Sequence, residues 1–370
     1  MAGSITGNII RVSTWGESHG AALGCVIDGV PAGLVLNEEL IQPFMDRRAP
    51  GTRAFSTARA EGDKVRILSG VFEGKTTGTP VSLMVENKDQ RSKDYGNIAT
   101  SYRPGHADFT FDQKYGFRDY RGGGRSSGRE TIGRVAAGAV CELILKELGV
   151  SVNAYTYSIG PVKIDKDNFD IRKSLTDPLS MPDEAASEKA MAYLKELSEK
   201  GDSAGGVIEC VIKGLPAGIG EPVFDKLDAS LAKAVLSIGA VKGFEIGSGF
   251  EAANLTGSVN NDSFFNDNGK IGKRTNNAGG ILGGISDGSD IVFRAAVKPT
   301  PSVSIPQETV DNTGRDMTLE IKGRHDNVIV PRAVVVVESM AAITVLDLML
   351  MNMSSRLDGI KAFYVYNRRQ

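Results

Sequence analysis

The chain has 370 residues, of which 41% are hydrophobic and 24% charged, values typical of a folded globular protein with a large core. Its net charge of -2 argues against a general affinity for nucleic acid or for a membrane surface. The three cysteines are odd in number and far apart, and no CxxC or HExxH motif indicates a zinc site. We therefore expect a cytoplasmic protein that binds no metal.

The hydrophobic pattern predicts alternating strands and helices. Predicted strands lie at 64–71, 79–85, 206–213 and 290–297, and predicted helices at 37–48, 127–148, 182–200 and 222–236. Residues 334–350 begin with a β-branched run and end with a helical pattern, so their start stays open between strand and helix. The polar, glycine-broken segment 87–128 predicts a long functional loop. The N-terminus lacks the apolar stretch of a secretory signal, and we expect no segment that spans a membrane.

An ungapped repeat relates the two halves of the chain. Residues 16–33 (GESHGAALGCVIDGVPAG) and 201–218 (GDSAGGVIECVIKGLPAG) are identical at ten of eighteen positions. Two copies at this spacing predict a duplicated core with a pseudo-twofold, within one domain over 1–370 whose halves are approximately 1–185 and 186–370. His19 of the first copy is replaced by Ala204 in the second. That difference favours a chemical role for His19, because a scaffold would need similar residues in both copies.

All three histidines, at positions 19, 106 and 325, are flanked by glycine, charge or both. Histidine exchanges protons near neutral pH, and arginine grips phosphate and carboxylate with a planar fork of donors. Two of the histidines have an arginine within three residues. This combination indicates an enzyme that acts on a phosphorylated or polyanionic small molecule.

Arg125 and Arg129 flank the predicted start of the helix at 127–148. Free N–H groups at a helix start, beside two arginines, favour a phosphate site. The alternative is that Ser126 or Ser127 simply caps the helix.

Two rival functions rest on weaker motifs. Residues 103–134 carry a local positive excess and one RGG element, as in some RNA-binding proteins, but without repeated aromatics that stack bases. Residues 69–76 resemble the end of a phosphate-binding P-loop, yet a strand rather than a helix follows them. A requirement for ATP and magnesium would favour the second rival.

Six motifs together resemble the chorismate synthase family across essentially the whole chain. They are GESHG at 16–20, RPGHAD at 103–108, GRSSGRET at 124–131, NAGGILGGIS at 277–286, KPTPS at 298–302 and GRHD at 323–326. The resemblance implies an α+β fold with a layered β-α-β sandwich core, assembled as a homotetramer. It also implies conversion of 5-enolpyruvylshikimate 3-phosphate to chorismate and phosphate, an anti 1,4-elimination that needs reduced FMN without net redox change.

The same resemblance implies roles for individual residues. His19 would be the acid at the departing phosphate, and His106 would steady the anionic reduced flavin. Ser18 and Asp326 would form a proton relay at the flavin N5. The substrate clamps would be Arg48, Arg103, Arg129 and Arg324.

Flavin contacts are implied in five segments. They would be made by Arg125, Ser126, Ser127, Gly239, Ala240, Gly283, Lys298, Pro299, Thr300, Pro301, Ser302 and Arg324. Position 54 is alanine where some members carry an arginine tied to nicotinamide contact, so a role for NADP in reducing the flavin stays open. His325 is expected to be an ordinary hydrogen-bonding partner.

Overall fold

The structure is a computed structural model that describes residues 3–49, 51, 62–87, 99–320 and 326–366. Arg324, His325 and position 54 lie outside the described residues, so the predictions made for them stay predictions.

Strands and helices alternate along the described chain. The strands are β1 Ile5–Thr6, β2 Arg11–Gly16, β3 Ala22–Asp28, β4 Val65–Ser69, β5 Val71–Phe72, β6 Lys75–Thr76, β7 Val81–Glu86, β8 Ser151–Ile159, β9 Val162–Lys163, β10 Gly206–Lys213, β11 Val241–Ile246, β12 Phe264–Asp267, β13 Lys270–Lys273, β14 Ile281–Leu282, β15 Ile285–Ser286, β16 Ile291–Val297, β17 Gln307–Val310 and β18 Asp316–Leu319. The α-helices are α1 Glu38–Arg48, α2 Asp108–Tyr115, α3 Thr131–Glu147, α4 Ile171–Thr176, α5 Glu184–Glu199, α6 Leu227–Leu236, α7 Gly257–Asn260, α8 Val330–Asn352 and α9 Leu357–Lys361. This mixture confirms the predicted α+β class.

Two five-stranded antiparallel sheets form the framework. The first has the order β1-β2-β3-β7-β4 and the second, from the equivalent edge, β9-β8-β10-β16-β11. In each sheet one helix, α1 or α6, connects an inner strand to the edge strand β4 or β11. The hairpin β5–β6 precedes the inner strand β7, and the hairpin β14–β15 precedes the inner strand β16. The long helix α3 comes later in the chain than β7, and α8 comes later than β16. The repeated segments supply β3 and β10, which occupy the same place in the two sheets. The second set of elements begins at β8, ahead of the predicted division near residue 185.

Helices α3 and α8 pack against each other between the sheets. Helix α3 contacts β3 and β7 of the first sheet, and α8 contacts β8 and β10 of the second. The helices cross closely at Gly138, where an added Cβ would lie 2.2 Å from the Ser339 Cβ. Only glycine leaves room for that approach, so the two sheets share one hydrophobic core.

Helix α8 corrects one sequence expectation. By length and composition it could cross a membrane, contrary to the prediction that no segment could, with a mean hydropathy of 2.1 in its most apolar window. Inside the fold, however, 78% of that window is buried. A central helix that contacts protein on most sides is apolar all round for this reason. The open start of 334–350 is also settled, since the entire segment is helical.

Several predicted boundaries differ in the structure, among them that of the helix predicted at 222–236, which starts at Leu227. Two short 3₁₀ turns, Gly124–Ser126 and Gly128–Glu130, precede α3, so the α-helix starts at Thr131 rather than at 127. The supposed loop 87–128 contains α2. Residues 71–76 form the hairpin β5–β6, with no helix after it, which removes the context that a P-loop requires.

Candidate functional site

The turn between β2 and β3 presents Ser18 and His19. The Ser18 Oγ lies 3.2 Å from the His19 Nδ1. Gly122 covers the imidazole, since a Cβ added there would lie 2.6 Å from the His19 Cε1 and 3.2 Å from the Ser18 Oγ. Its φ of +122° also favours glycine. The histidine ring is therefore held between its own turn and the loop before α3.

Asn87, directly after β7, joins this turn to Arg129. Its Nδ2 donates to the carbonyl oxygens of Glu17 at 3.0 Å and Gly20 at 2.8 Å. Its Oδ1 accepts from the Arg129 Nε at 3.0 Å and Nη2 at 2.7 Å. A predicted substrate arginine is thereby tied to the turn that carries His19.

Asp63 lies between two predicted substrate arginines. Its Oδ2 accepts from the Arg48 Nε at 3.0 Å and Nη2 at 2.6 Å, while its Oδ1 accepts from the Arg129 Nη1 at 3.2 Å. Arg48 is 1% exposed and also donates to the Gly128 carbonyl oxygen at 3.2 Å. Burial lowers the pKa of Arg48 from its ordinary value, although the charge of Asp63 opposes that shift. Arg48 thus lies beneath Arg129 rather than at the surface of the site.

Arg332, in the first turn of α8, extends the network to Asp326. Its Nη1 donates to the Asp326 Oδ2 at 2.6 Å, and its Nε donates to the Arg48 carbonyl oxygen at 3.1 Å. Ser18 and Asp326, the predicted relay pair, therefore lie at opposite ends of one hydrogen-bonded network. We call this set of residues, from the His19 turn through Asn87, Arg129, Asp63, Arg48 and Arg332 to Asp326, the arginine network.

A second cluster forms around the predicted clamp Arg103. Its Nε and Nη2 each donate to Asp108 at 2.8 Å. Burial alone would raise the pKa of Asp108, but the hydrogen bonds and charge of Arg103 outweigh it and hold the pKa below its usual range. The pair fixes the turn that carries His106.

His106 has a defined hydrogen-bonding arrangement. Its Nδ1 lies 3.0 Å from the Pro104 carbonyl oxygen, and its Nε2 lies 3.0 Å from the Ser302 Oγ. A carbonyl oxygen only accepts, so Nδ1 carries the proton and Nε2 accepts from Ser302 in the neutral ring. Burial and then the nearby Arg103 lower the pKa of His106. Both effects favour the neutral form of the imidazole.

The loop 298–302 packs on the His106 turn. The Lys298 Nζ donates to the Gly105 carbonyl oxygen at 2.7 Å. The Ser203 Oγ, in the second copy of the repeat, donates to the Thr300 carbonyl oxygen at 2.7 Å. The Thr300 Oγ1 is buried, and no described residue supplies it with a hydrogen-bond partner.

Asn327 connects this loop with the arginine network. Its Nδ2 donates to the Asp202 carbonyl oxygen at 3.0 Å, and its own carbonyl oxygen accepts from the Ala204 N–H at 2.9 Å. The second repeat turn therefore bridges Asp326, the neighbour of Asn327, and the Thr300 loop. Both copies of the repeat contribute a turn to one connected region, but only the first supplies an imidazole.

The predicted phosphate-binding residues are partly engaged within the protein. The Arg125 guanidinium donates to the Gly16 carbonyl oxygen at 3.0 Å and to the Thr14 Oγ1 at 2.7 Å. The Ser126 Oγ donates to the Gly123 carbonyl oxygen, and the Ser127 Oγ accepts from the Arg129 N–H. The Ser127 hydroxyl therefore caps the 3₁₀ turn Gly128–Glu130, in agreement with the capping alternative.

The remaining predicted flavin residues occupy two places. Ala240 lies beside Lys298, whose N–H donates to the Ala240 carbonyl oxygen at 2.9 Å, and Gly239 precedes it. Gly283 lies in the β14–β15 turn next to Gly284, whose carbonyl oxygen accepts from the Leu227 N–H at the start of α6. A helix of ten residues spans about 15 Å, so Gly283 and Ala240 lie near opposite ends of α6.

Positive charge exceeds negative charge across the described part of this region. Eight cationic side chains face six carboxylates, namely Arg48, Arg103, Arg118, Arg121, Arg125, Arg129, Lys298 and Arg332 against Asp63, Asp108, Asp112, Asp119, Glu130 and Asp326. The carboxylates orient the cations without neutralising all of them. This excess suits a ligand with several anionic groups.

A separate cavity of about 550 Å³ lies between residues 3–8, α6 and α8. It touches the surroundings of the site through Thr14 and Glu130, and none of the predicted site residues lines it. Its Arg134 is paired with Glu130 at 2.8 Å. None of the residues that line the cavity is a histidine, whereas His19 lies in the arginine network and His106 lies beside Arg103.

The sequence analysis missed Asp63, Asn87 and Arg332. Asn87 carried one signal, its position directly after a predicted strand at the start of the polar segment. The others had no local signal, because their roles depend on partners far away in the sequence. Within the residues that the structure describes, no group of three or more His, Cys, Asp or Glu is arranged to hold a metal ion.

Comparisons with known proteins agree with one another. A family model described as chorismate synthase matches residues 10–350. A protein of that name from Lachnoclostridium phytofermentans is 63% identical over 365 residues, covering 98% of this chain and 100% of the relative. Another from Methanosarcina mazei is 54% identical over 353 residues, covering 95% of this chain and 97% of the relative. A solved crystal structure of chorismate synthase superposes with a TM-score of 0.76 at 32% identity, covering 98% of both chains.

Proposed function

The chain belongs to the chorismate synthase family, and we propose that its reaction takes place at the arginine network, with His19 as the acid. The enzyme is a carbon–oxygen lyase that forms chorismate and phosphate from 5-enolpyruvylshikimate 3-phosphate, for aromatic amino acid biosynthesis. The observation that carries the placement is the continuous set of hydrogen bonds from the His19 turn to Arg129.

Arg129 and Arg103 bind the anionic groups of the substrate, which carries one phosphate and two carboxylates. Both guanidiniums are oriented by carboxylates, so little side-chain freedom remains to be lost on binding. Arg48 is buried beneath Arg129; it orients Asp63 through two hydrogen bonds and adds positive charge. Arg324, which lies outside the described residues, remains a predicted fourth clamp.

His19 donates a proton or a strong hydrogen bond to the departing phosphate. Expulsion of phosphate is easier when its developing charge is neutralised, and a positioned acid contributes roughly 100- to 10,000-fold. Ser18, in contact with the imidazole, orients the His19 ring and takes part in proton transfer. Asp326, whose carboxylate Arg332 orients at the far end of the network, takes up with Ser18 the proton released when the ring C–H bond breaks.

The residues around Thr300 fit a flavin mononucleotide. The buried Thr300 hydroxyl, which has no hydrogen-bond partner among the described residues, supports a polar ligand at this loop, and Lys298 supplies positive charge. Lys298, Pro299, Thr300, Pro301, Ser302, Gly239 and Ala240 would hold the group, together with the loop of Arg125, Ser126 and Ser127. Bound there, reduced FMN would supply electron density for the expulsion of phosphate and the loss of the ring hydrogen, with no net change in its oxidation state. His106 becomes protonated only if an anionic neighbour offsets the burial that lowers its pKa.

The chain assembles as a homotetramer in the cytoplasm, with a pseudo-twofold between its layered halves. The matching strand order of the two sheets supports the internal symmetry. Exposed apolar side chains support assembly, among them Phe224 at 91% and Ile271 at 84% exposure. Gly283 would then contact flavin from another part of the assembly. Reduction of the flavin by NADPH remains an open part of the proposal, since position 54 is alanine.

Anaerobic turnover with reduced FMN and 5-enolpyruvylshikimate 3-phosphate tests the function. We expect chorismate and phosphate in equal amounts, with the flavin still reduced at the end. Absence of both products in the presence of soluble, flavin-loaded enzyme would refute the proposal. Activity that requires ATP and magnesium would favour phosphoryl transfer, and salt-sensitive polynucleotide binding would favour the nucleic-acid alternative.

A further inference from the structure

We propose that Asn87 is a positioning residue that sets the distance between the acid His19 and the substrate-binding Arg129. This inference rests on the roles proposed above for those two residues. Asn87 touches neither a reacting atom nor the imidazole itself. It acts through the turn that carries His19 and through the guanidinium of Arg129.

The sheet places Asn87 beside the His19 turn. Ala22 of β3 pairs with Glu86 of β7, and the next residue, Asn87, continues the pairing by donating its N–H to the Ala21 carbonyl oxygen at 3.0 Å. The asparagine backbone is therefore fixed by the sheet. Its side chain then needs only two torsions to be set, which makes it a rigid connector.

The amide uses both of its ends. Glu17 and Gly20 present carbonyl oxygens, which only accept, so the NH₂ group must face them. The guanidinium of Arg129 only donates, so the amide oxygen must face it. The two carbonyls bracket Ser18 and His19, so both ends of that short turn are held by one nitrogen.

Few other side chains could replace this arrangement. Aspartate has the same shape but would point a carboxylate oxygen at two carbonyl oxygens. It would also place a full negative charge against Arg129 and so compete with an anionic substrate. Alanine would remove all four side-chain hydrogen bonds. The asparagine thus leaves the charge of Arg129 available while fixing its direction.

Steady-state kinetics of Asn87→Ala and Asn87→Asp test the inference, with Asn276→Ala as the matched control. Asn276 is also half-buried and donates its amide to a backbone carbonyl, that of Asp290 at 2.8 Å, away from the proposed site. We expect Asn87→Ala to lower kcat and raise KM, each by about tenfold, a size typical of a misplaced reacting group. The aspartate variant should raise KM further than the alanine variant, because of its charge. The control should change both constants by less than about twofold while losing comparable stability.

The outcomes separate this inference from the placement of the site. If Arg129→Ala and His19→Ala are impaired but both Asn87 variants match the control, Asn87 has no positioning role. Equal KM values for the alanine and aspartate variants would also overturn it. If Asn87 only stabilised the fold, the folded molecules of both variants would bind the substrate equally well. If Arg129→Ala and His19→Ala both keep wild-type kinetics, the proposed site itself is wrong. Should the alanine variant not fold, the nearly isosteric aspartate variant is compared with the wild type instead, and a KM that differs by less than about twofold would overturn the inference.

Discussion

Substitution of Gly122 by alanine should displace His19 without unfolding the protein. The new Cβ would lie 2.6 Å from the imidazole Cε1 and 2.7 Å from its Nδ1, whereas ordinary contacts begin at 3.4 Å. The ring must therefore move by roughly 0.8 Å, which it can do because it is the far end of a side chain. A misplacement of this size near a reacting group can cost on the order of 100-fold in rate. We expect kcat to fall between about 10- and 100-fold. The positive φ adds a stability cost of about 1–3 kcal/mol.

Gly33→Ala is the control for the backbone cost. Its φ of +98° is also unfavourable for alanine, but an added Cβ would meet no atom within 4 Å. Both variants should therefore lose similar stability in urea unfolding, while only Gly122→Ala loses turnover. Equal kcat for the two variants would refute the contact between Gly122 and His19 as a constraint on catalysis.

Three further predictions concern single side chains. His19→Ala should keep the fold and flavin affinity but lower turnover by roughly 100-fold or more, and unchanged turnover would remove His19 from the mechanism. Glu142→Gln should gain stability relative to the wild type as the pH rises above about 4.5, because burial and then the charge of Glu338 raise the pKa of Glu142 in the folded state. The free energy of unfolding of the wild type therefore falls, relative to that of the variant, as the pH rises through the pKa of Glu142 in the folded state. A difference in unfolding free energy that does not vary with pH would contradict this. His106 should titrate below 6.5 by NMR in the ligand-free protein, since burial lowers its pKa; a midpoint above 6.5 would be inconsistent with the neutral ring.

The repeat and the apolar pattern made much of the framework predictable. The repeated segments contain β3 and β10, which hold equivalent positions in the two sheets, as the predicted duplication implies. The helix predicted at 37–48 is α1, and Asn37 is its N-cap, whose side chain accepts from the Leu40 N–H at 3.0 Å. These features depend on neighbours in sequence, so the sequence contains them.

Features that depend on distant partners were not predictable. The β-branched run at the start of 334–350 is helical because α8 is enclosed by α3 and the second sheet, and burial overrides its local preference. Asp63 gains its role from Arg129, which lies 66 residues further along the chain. Motif resemblance identified the arginines and histidines, but it did not identify the residues that orient them.

A crystal structure of the enzyme with oxidised FMN and 5-enolpyruvylshikimate 3-phosphate tests the central claim most directly. We expect the anionic groups of the substrate within hydrogen-bonding distance, about 2.7–3.2 Å, of Arg129 and Arg103, and a substrate oxygen in contact with the His19 imidazole. Substrate bound instead in the cavity between residues 3–8, α6 and α8, with the arginine network unchanged and distant, would contradict the account.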